Sequence, residues 1–161
     1  MEAPILQNLE LIAQGKVRDI YSVDEDHLLI VTTDRMSAFD VVLPNPIPGK
    51  GEVLTQLSEF WFSKTKHIAI NHLTDDLNLE DIVPLDQLGY FQNRSMIVKR
   101  LNPLPIEAVV RGYLIGSGWK DYQQTGSVCG IRLEGNLQMA AQQNRGSLRQ
   151  RTGCNCKGYS H

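Results

Sequence analysis

The sequence predicts an α+β fold, a mainly antiparallel sheet with one packed helix. Three observations lead there. Short β-branched and apolar runs recur at Val17–Ser22, Leu28–Thr33, Ser95–Leu101 and Ile106–Val110. Only one long stretch, from Gly51, carries a clear helical period. The link between the first two runs is a polar turn, Asp24-Glu25-Asp26, too short for a parallel crossover.

The elements follow in order. Leu9 to Tyr21 reads as a first strand and its turn, with Val17, Asp19 and Tyr21 on one face and Arg18, Ile20 and Ser22 on the other. With Leu28–Thr33 it forms an antiparallel hairpin. Asp34 to Asp40 reads as a polar loop, and Pro44, Pro46 and Pro48 then exclude regular structure. Val53, Leu54, Leu57, Phe60 and Trp61 form the apolar stripe of an amphipathic helix. Asn71 to Asn93 is irregular, with weak strand signals. Ser95–Leu101 is a strand, Asn102–Pro105 a stiff connector, and Ile106–Val110 the next strand. Trp119–Gln124 reads as a short helix stopped by Gly126. From about Glu134 the apolar period fades, and the composition to His161 is that of a disordered tail.

The 161 residues suffice for one domain with a core, and 42% hydrophobic and 21% charged residues are ordinary for a soluble globular chain. A net charge of −2 argues against a general nucleic-acid binder. Cys129, Cys154 and Cys156 make neither a disulfide framework nor a paired zinc motif, and cytosolic thiols fit them better. No basic segment precedes an apolar run at the N-terminus and no stretch has the length of a membrane span, so a cytoplasmic protein without membrane association is expected.

Several groups of residues could carry chemistry. Gly15-Lys16-Val17-Arg18 lets a backbone approach a phosphate between two cations, or is a solvated strand end; it is not a Walker loop. Asp34, Ser37 and Asp40 put two carboxylates and a hydroxyl in one loop, where they bind a polyol or simply form turns. Lys99 in an apolar strand either reaches a nucleotide or faces solvent at a sheet edge. Glu107 and Arg111 lie in an apolar run that breaks into Gly116-Ser117-Gly118 before a helix. Free N–H groups there suit an anion, with Arg111 and Ser117 as side-chain partners; the plainer reading is an edge strand with a salt bridge and a flexible turn.

In this order these residues resemble the SAICAR synthetase (phosphoribosylaminoimidazole-succinocarboxamide synthase) family. Its first signature fits Leu104-Pro105-Ile106-Glu107-Ala108-Val109-Val110-Arg111 with Gly116-Ser117, Ile115 standing where Thr or Ala is usual. Gly15–Asp19, Thr33–Asp40, Lys50–Thr55 and Arg111–Lys120 are similar as well. The resemblance implies the small lobe of a kinase-like ATP binder plus the start of a second lobe. It implies an ATP-dependent ligase that joins L-aspartate to carboxyaminoimidazole ribotide in purine biosynthesis, with ATP and Mg²⁺ required. Gly15, Lys16, Arg18 and Lys99 would serve ATP, with adenine on the connector from Leu101 to Leu104. Arg111 and Ser117 would hold the ribotide phosphate, and Asp34, Ser37 and Asp40 would line the substrate side. Glu107 would serve substrate or metal and, with Lys99, catalysis.

The family's second signature, with its Asp-x-Lys-x-Glu pattern and metal-holding Asp, is absent. The likeness decays near Leu133–Leu137. The expectation is therefore a truncated or frameshifted copy: a family-like region over 1–132 and an unrelated, disordered tail over 133–161. Such a chain would have little ligase activity. The alternatives are a non-catalytic nucleotide-binding fragment, or a nucleic-acid module using the Arg/Lys tail. Oligomeric state is not legible.

Overall fold

The computed structural model describes residues 4–103, 105–107, 113–140 and 157–158. The chain divides into two compact units, residues 1–101 and 102–161.

In the first unit, β1 (Glu10–Gln14), β2 (Arg18–Ser22), β3 (His27–Thr32) and β6 (Ser95–Lys99) form one sheet in the order β1-β2-β3-β6, every neighbour antiparallel. Leu73 adds a single antiparallel bridge to Val98 on the outer edge of β6. Alternation in β2 buries Asp19 and Tyr21, as the sequence indicates. With Leu29 and Val31 they face a covering layer from residues 79–91, where Ile82, Val83 and Phe91 close the core together with Leu6.

That cover contains two single helical turns, α2 (Leu79–Ile82) and α3 (Leu88–Phe91), where the sequence suggests irregular chain. Four residues are too few to show a period. The Asp34–Asp40 loop also contains structure. β4 (Ser37–Ala38) and β5 (Val41–Val42) form a small hairpin, turned by Phe39 and Asp40 at φ 49° and 66°. Two successive left-handed residues match the twist of a two-residue hairpin, although Asn and Gly are its usual occupants.

Helix α1 (Lys50–Thr65) is where the period places it, but its sheet-facing side is not the apolar stripe. Gly51 and Thr55 are its buried residues. A Cβ on Gly51 would lie 2.2 Å from the Thr32 carbonyl oxygen, so only glycine allows this approach. Val53, Leu54, Leu57, Phe60 and Trp61 are exposed.

In the second unit, β7 (Ile106–Glu107) pairs with β10 (Lys157–Gly158). Helix α4 (Gly116–Thr125) begins three residues before the expected Trp119 and is ended by Gly126 at φ 68°. It packs on the β8 (Ser127–Val128) and β9 (Ile131–Arg132) hairpin. Tyr122 Oη donates to Glu134 O at 2.7 Å and accepts from Leu137 N at 3.0 Å, tying the first residues of the expected tail to α4. The rest of that expectation, over 141–156 and 159–161, lies outside the described residues, as do Leu104 and Arg111. Among the described residues no helix is long and apolar enough to cross a membrane.

Candidate functional site

The turn between β1 and β2 is closed by Gly15 N donating to Arg18 O at 2.7 Å. Thr33 ties Val17 twice, N–H and Oγ1 both donating to Val17 O at 2.9 Å. Arg35 then lies across the turn. Its Nη2 donates to Gly15 O at 2.9 Å, its Nε to Lys16 O at 3.3 Å, and it grips buried Asp19 through two bonds of 2.6 and 3.1 Å. With its carbonyls drawn toward Arg35, the turn has a fixed shape, and Lys16 and Arg18 stand exposed upon it.

Lys16 forms an ion pair with Asp40 at the tip of the β4–β5 hairpin. The pair lies in solvent and adds little stability, but it joins the turn to the hairpin. The Lys16 ammonium holds the Asp40 carboxyl below the ordinary carboxylate range. Ser37 is half-buried in β4 of the same hairpin.

Asp34 faces the other way. Its carboxylate accepts from Gly51 N at 2.8 Å and Gly49 N at 3.2 Å, capping α1, and meets Arg94 at 3.1 Å. Burial acts to raise this carboxyl, but those N–H groups and the guanidinium outweigh it and hold it low. Arg94 is itself buried, reaches Glu52 at 2.7 Å and stacks on Tyr90 at 4.3 Å.

One sheet face connects these groups. Arg18, Ile20 and Ser22 share it, opposite Thr32, Ile30 and Leu28. Ile20, Ile30 and Leu28 are half-buried, whereas the β6 neighbours Met96 and Val98 are buried. An apolar shelf thus runs from Arg18 along β3 for four residues, about 13 Å. Lys99 stands opposite His27, at the end of the sheet remote from Arg18, so the structure does not bring it beside Lys16. Lys99 and Leu101 line a cavity of about 400 Å³ with Phe62, Ile70 and His72. Burial holds His72 below its ordinary pKa.

The second unit supplies two more of the expected residues. Glu107 lies in β7, and Ser117 is half-buried in the first turn of α4, which has no side-chain cap. Among the described residues, no three or more His, Cys, Asp or Glu side chains converge as metal ligands.

Arg35, Arg94 and Thr33 were not legible as site residues. Their partners are far along the chain, and the only available hint was Arg35 standing between Asp34 and Asp40.

Residues 11–146 match the family model of SAICAR synthetase. The chain belongs to the SAICAR synthetase family. It is 62% identical over 145 residues to a phosphoribosylaminoimidazole-succinocarboxamide synthase of Thioalkalivibrio sulfidiphilus, covering 87% of this chain and 49% of that protein. The enzyme of the same name from Azoarcus sp. is 60% identical over 136 residues, covering 84% and 43%. The structure of SAICAR synthase from Saccharomyces cerevisiae, complexed with SAICAR, superimposes with a TM-score of 0.80 at 40% identity, over 88% of this chain and 50% of that one. The chain thus spans about half the length of the SAICAR synthetases it matches.

Proposed function

We propose that this chain carries the nucleotide half of an ATP-dependent carbon–nitrogen ligase that joins L-aspartate to carboxyaminoimidazole ribotide. The observation that carries this reading is the fixed Gly15–Arg18 turn at one end of an apolar shelf. Lys16 and Arg18 meet the phosphates, Ile20, Ile30 and Leu28 support the nucleoside, and the chain at Leu101 offers backbone groups to the base. Lys99 serves the nucleoside end rather than the phosphates, because the register sets it apart from Arg18.

Arg35 positions the turn, and Asp34 positions α1. Asp40 and Ser37 face the substrate, and Lys16 exchanges Asp40 for a phosphate when ATP binds. Arg111 and Ser117 hold the ribotide phosphate, Arg111 through its planar fork. Glu107 contributes one carboxylate to Mg²⁺. Glu107 would hold Mg²⁺ together with the triphosphate oxygens, and the ion would supply charge neutralisation there. The acceptor carboxylate is activated by phosphoryl transfer, and the aspartate amine displaces phosphate to form the amide.

The chain by itself binds nucleotide weakly and has at most trace ligase turnover, since it spans about half of its relatives. The boundary at residue 132 belongs to this proposal. Limited proteolysis leaving a core that ends there supports it, and a core running through Ala140 moves it.

Titration calorimetry with ATP and Mg²⁺ tests the reading. Binding that weakens about tenfold or more in Lys16→Met supports it, the expected loss of a charged hydrogen bond of about 1.5–3 kcal/mol. Binding indifferent to Lys16 and Arg18 overturns the phosphate assignment. Robust aspartate-dependent phosphate release by the chain alone overturns the claim of at most trace turnover.

A further inference from the structure

Residues 71–76 lie as a strap along the outer edge of β6. Lys99 N donates to His72 O at 2.8 Å, and Leu73 makes its single bridge to Val98. Within the strap, Leu73 N donates to Asn71 Oδ1 at 3.0 Å and Thr74 Oγ1 to Asp76 Oδ2 at 2.5 Å. Asn71 and His72 line the cavity that Lys99 and Leu101 also line. Such sparse pairing to the sheet puts the strap at the low-stability end of the fold, where one added tie matters.

The far end of the strap meets His27. Asp24 Oδ1 accepts from the backbone N–H groups of Asp26 and His27 at 2.8 and 2.7 Å, and both Asp24 oxygens lie 2.9 Å from His27 Nδ1. On the other side of the ring, Nε2 faces Asp76 Oδ2 at 3.7 Å. An ionised carboxylate only accepts, so each ring nitrogen suits its neighbour only while it carries a hydrogen. The imidazolium satisfies both sides. A neutral ring satisfies one, and the nearer Asp24, fixed by its turn, keeps the hydrogen on Nδ1. Nε2 then presents a lone pair to the Asp76 carboxylate, and attraction becomes repulsion. The other charged groups here are Lys99, which stands opposite His27 and attracts Asp76, and Arg100, which binds Ser22 Oγ, Asp24 O and Asp26 O. His72 also lies on the strap, but burial holds its pKa below the ordinary imidazole value, whereas Asp24, aided by Asp76, raises that of His27.

We propose that His27 is a pH-sensitive latch for this strap: the charged ring ties 71–76 to the β2–β3 turn, and loss of the Nε2 proton frees the strap and loosens the cavity it lines. The hold is complete below the ordinary imidazole value and is lost as pH rises through the raised one. It is lost again at low pH, when Asp76, held low by Thr74 and His27, is protonated. The inference does not use the nucleotide assignment, so the two fail separately.

NMR on the full chain between about pH 5 and about pH 9, spanning the imidazole range, tests it. Exchange at the Leu73 and Lys99 amides, corrected for intrinsic rates, should rise about two- to fivefold as His27 loses its proton, the population change an exposed ion pair supports. Imidazole nitrogen shifts should place the hydrogen of the neutral ring on Nδ1. Asp76→Asn should remove the pH dependence of the strap while His27 still titrates, at a midpoint lower than in the parent chain. The proposal is overturned if the neutral ring carries its hydrogen on Nε2, or if the strap amides ignore His27 ionisation. It is equally overturned if their transition follows the His72 midpoint or survives unchanged in Asp76→Asn.

Discussion

The two sides of α1 obey different rules. The side against the sheet is small and polar, with Gly51 over the Thr32 carbonyl and Thr55 fully buried. The outward side carries the large apolar residues. Across the same sheet, the 79–91 cover does the reverse and buries Ile82, Val83 and Phe91. The difference separates close approach from hydrophobic burial. The cover holds its position by removing apolar area from water, whereas α1 is held at its start by ion pairs and hydrogen bonds.

Four measurements can break or sharpen this contrast, beginning with the largest effect. Arg94→Ala should destabilise the chain by about 3 kcal/mol in urea unfolding, because it strands the Asp34 carboxylate beside α1. That value is near the low end for buried pairs, since Asp34 keeps 21% of its side chain in solvent. A loss below about 1 kcal/mol would place the anchorage of α1 elsewhere. Gly51→Ala should cost about 1–3 kcal/mol as overpacking, read as a lower thermal midpoint. Neutral behaviour would mean that α1 can lift from Thr32 freely. Leu57→Gln and Trp61→Gln should each stay within about 0.5 kcal/mol in the chain alone, as expected of exposed positions. A large loss in either would show that the outward side is already covered.

The smallest effect lies at the far end of the sheet. The Asp24 carboxylate bonds the His27 ring and, with help from Asp76, raises the imidazole pKa, while His27 lowers that of Asp24. The histidine contribution is complete below the ordinary imidazole value and is lost as pH rises through the raised one. The aspartate contribution is present above the ordinary carboxylate value and is lost as pH falls through the depressed one. Amide exchange in the 24–27 turn, corrected for intrinsic rates, should therefore be slowest near about pH 5.5, between the two ordinary values. His27→Gln should flatten the alkaline limb. An alkaline limb that persists in this variant would assign the dependence to another group.

Much of this was legible in the chain. Alternation gave β2, continuous apolar and β-branched runs gave β3 and β6, and a period of 3.6 gave α1. The inward face of α1 was not legible, because glycine and threonine carry no apolar signal and their burial depends on backbone proximity. The 37–42 hairpin was hidden because Phe39 takes a left-handed conformation without the usual glycine. At the site, Gly15, Lys16, Arg18 and Asp40 could be read as candidates from local composition. The places of Asp34 and Lys99 could not. Asp34's role depends on Gly51 and Arg94, distant in sequence, and Lys99's depends on sheet register.

The Asp34–Arg35 pair has one more consequence. Asp34 holds the first N–H groups of α1, and Arg35 holds the carbonyls of the Gly15–Arg18 turn. Lys50 Nζ, from the first turn of α1, also donates to Arg35 O at 3.0 Å. Between the two side chains lies a single planar peptide, its ends about 3.8 Å apart. The pair links the start of α1 to the turn through these hydrogen bonds. A change in tilt of α1 is delivered to the turn beneath Lys16 without crossing the sheet, and Asp34→Asn should displace the Gly15 amide resonance even though the two residues do not touch.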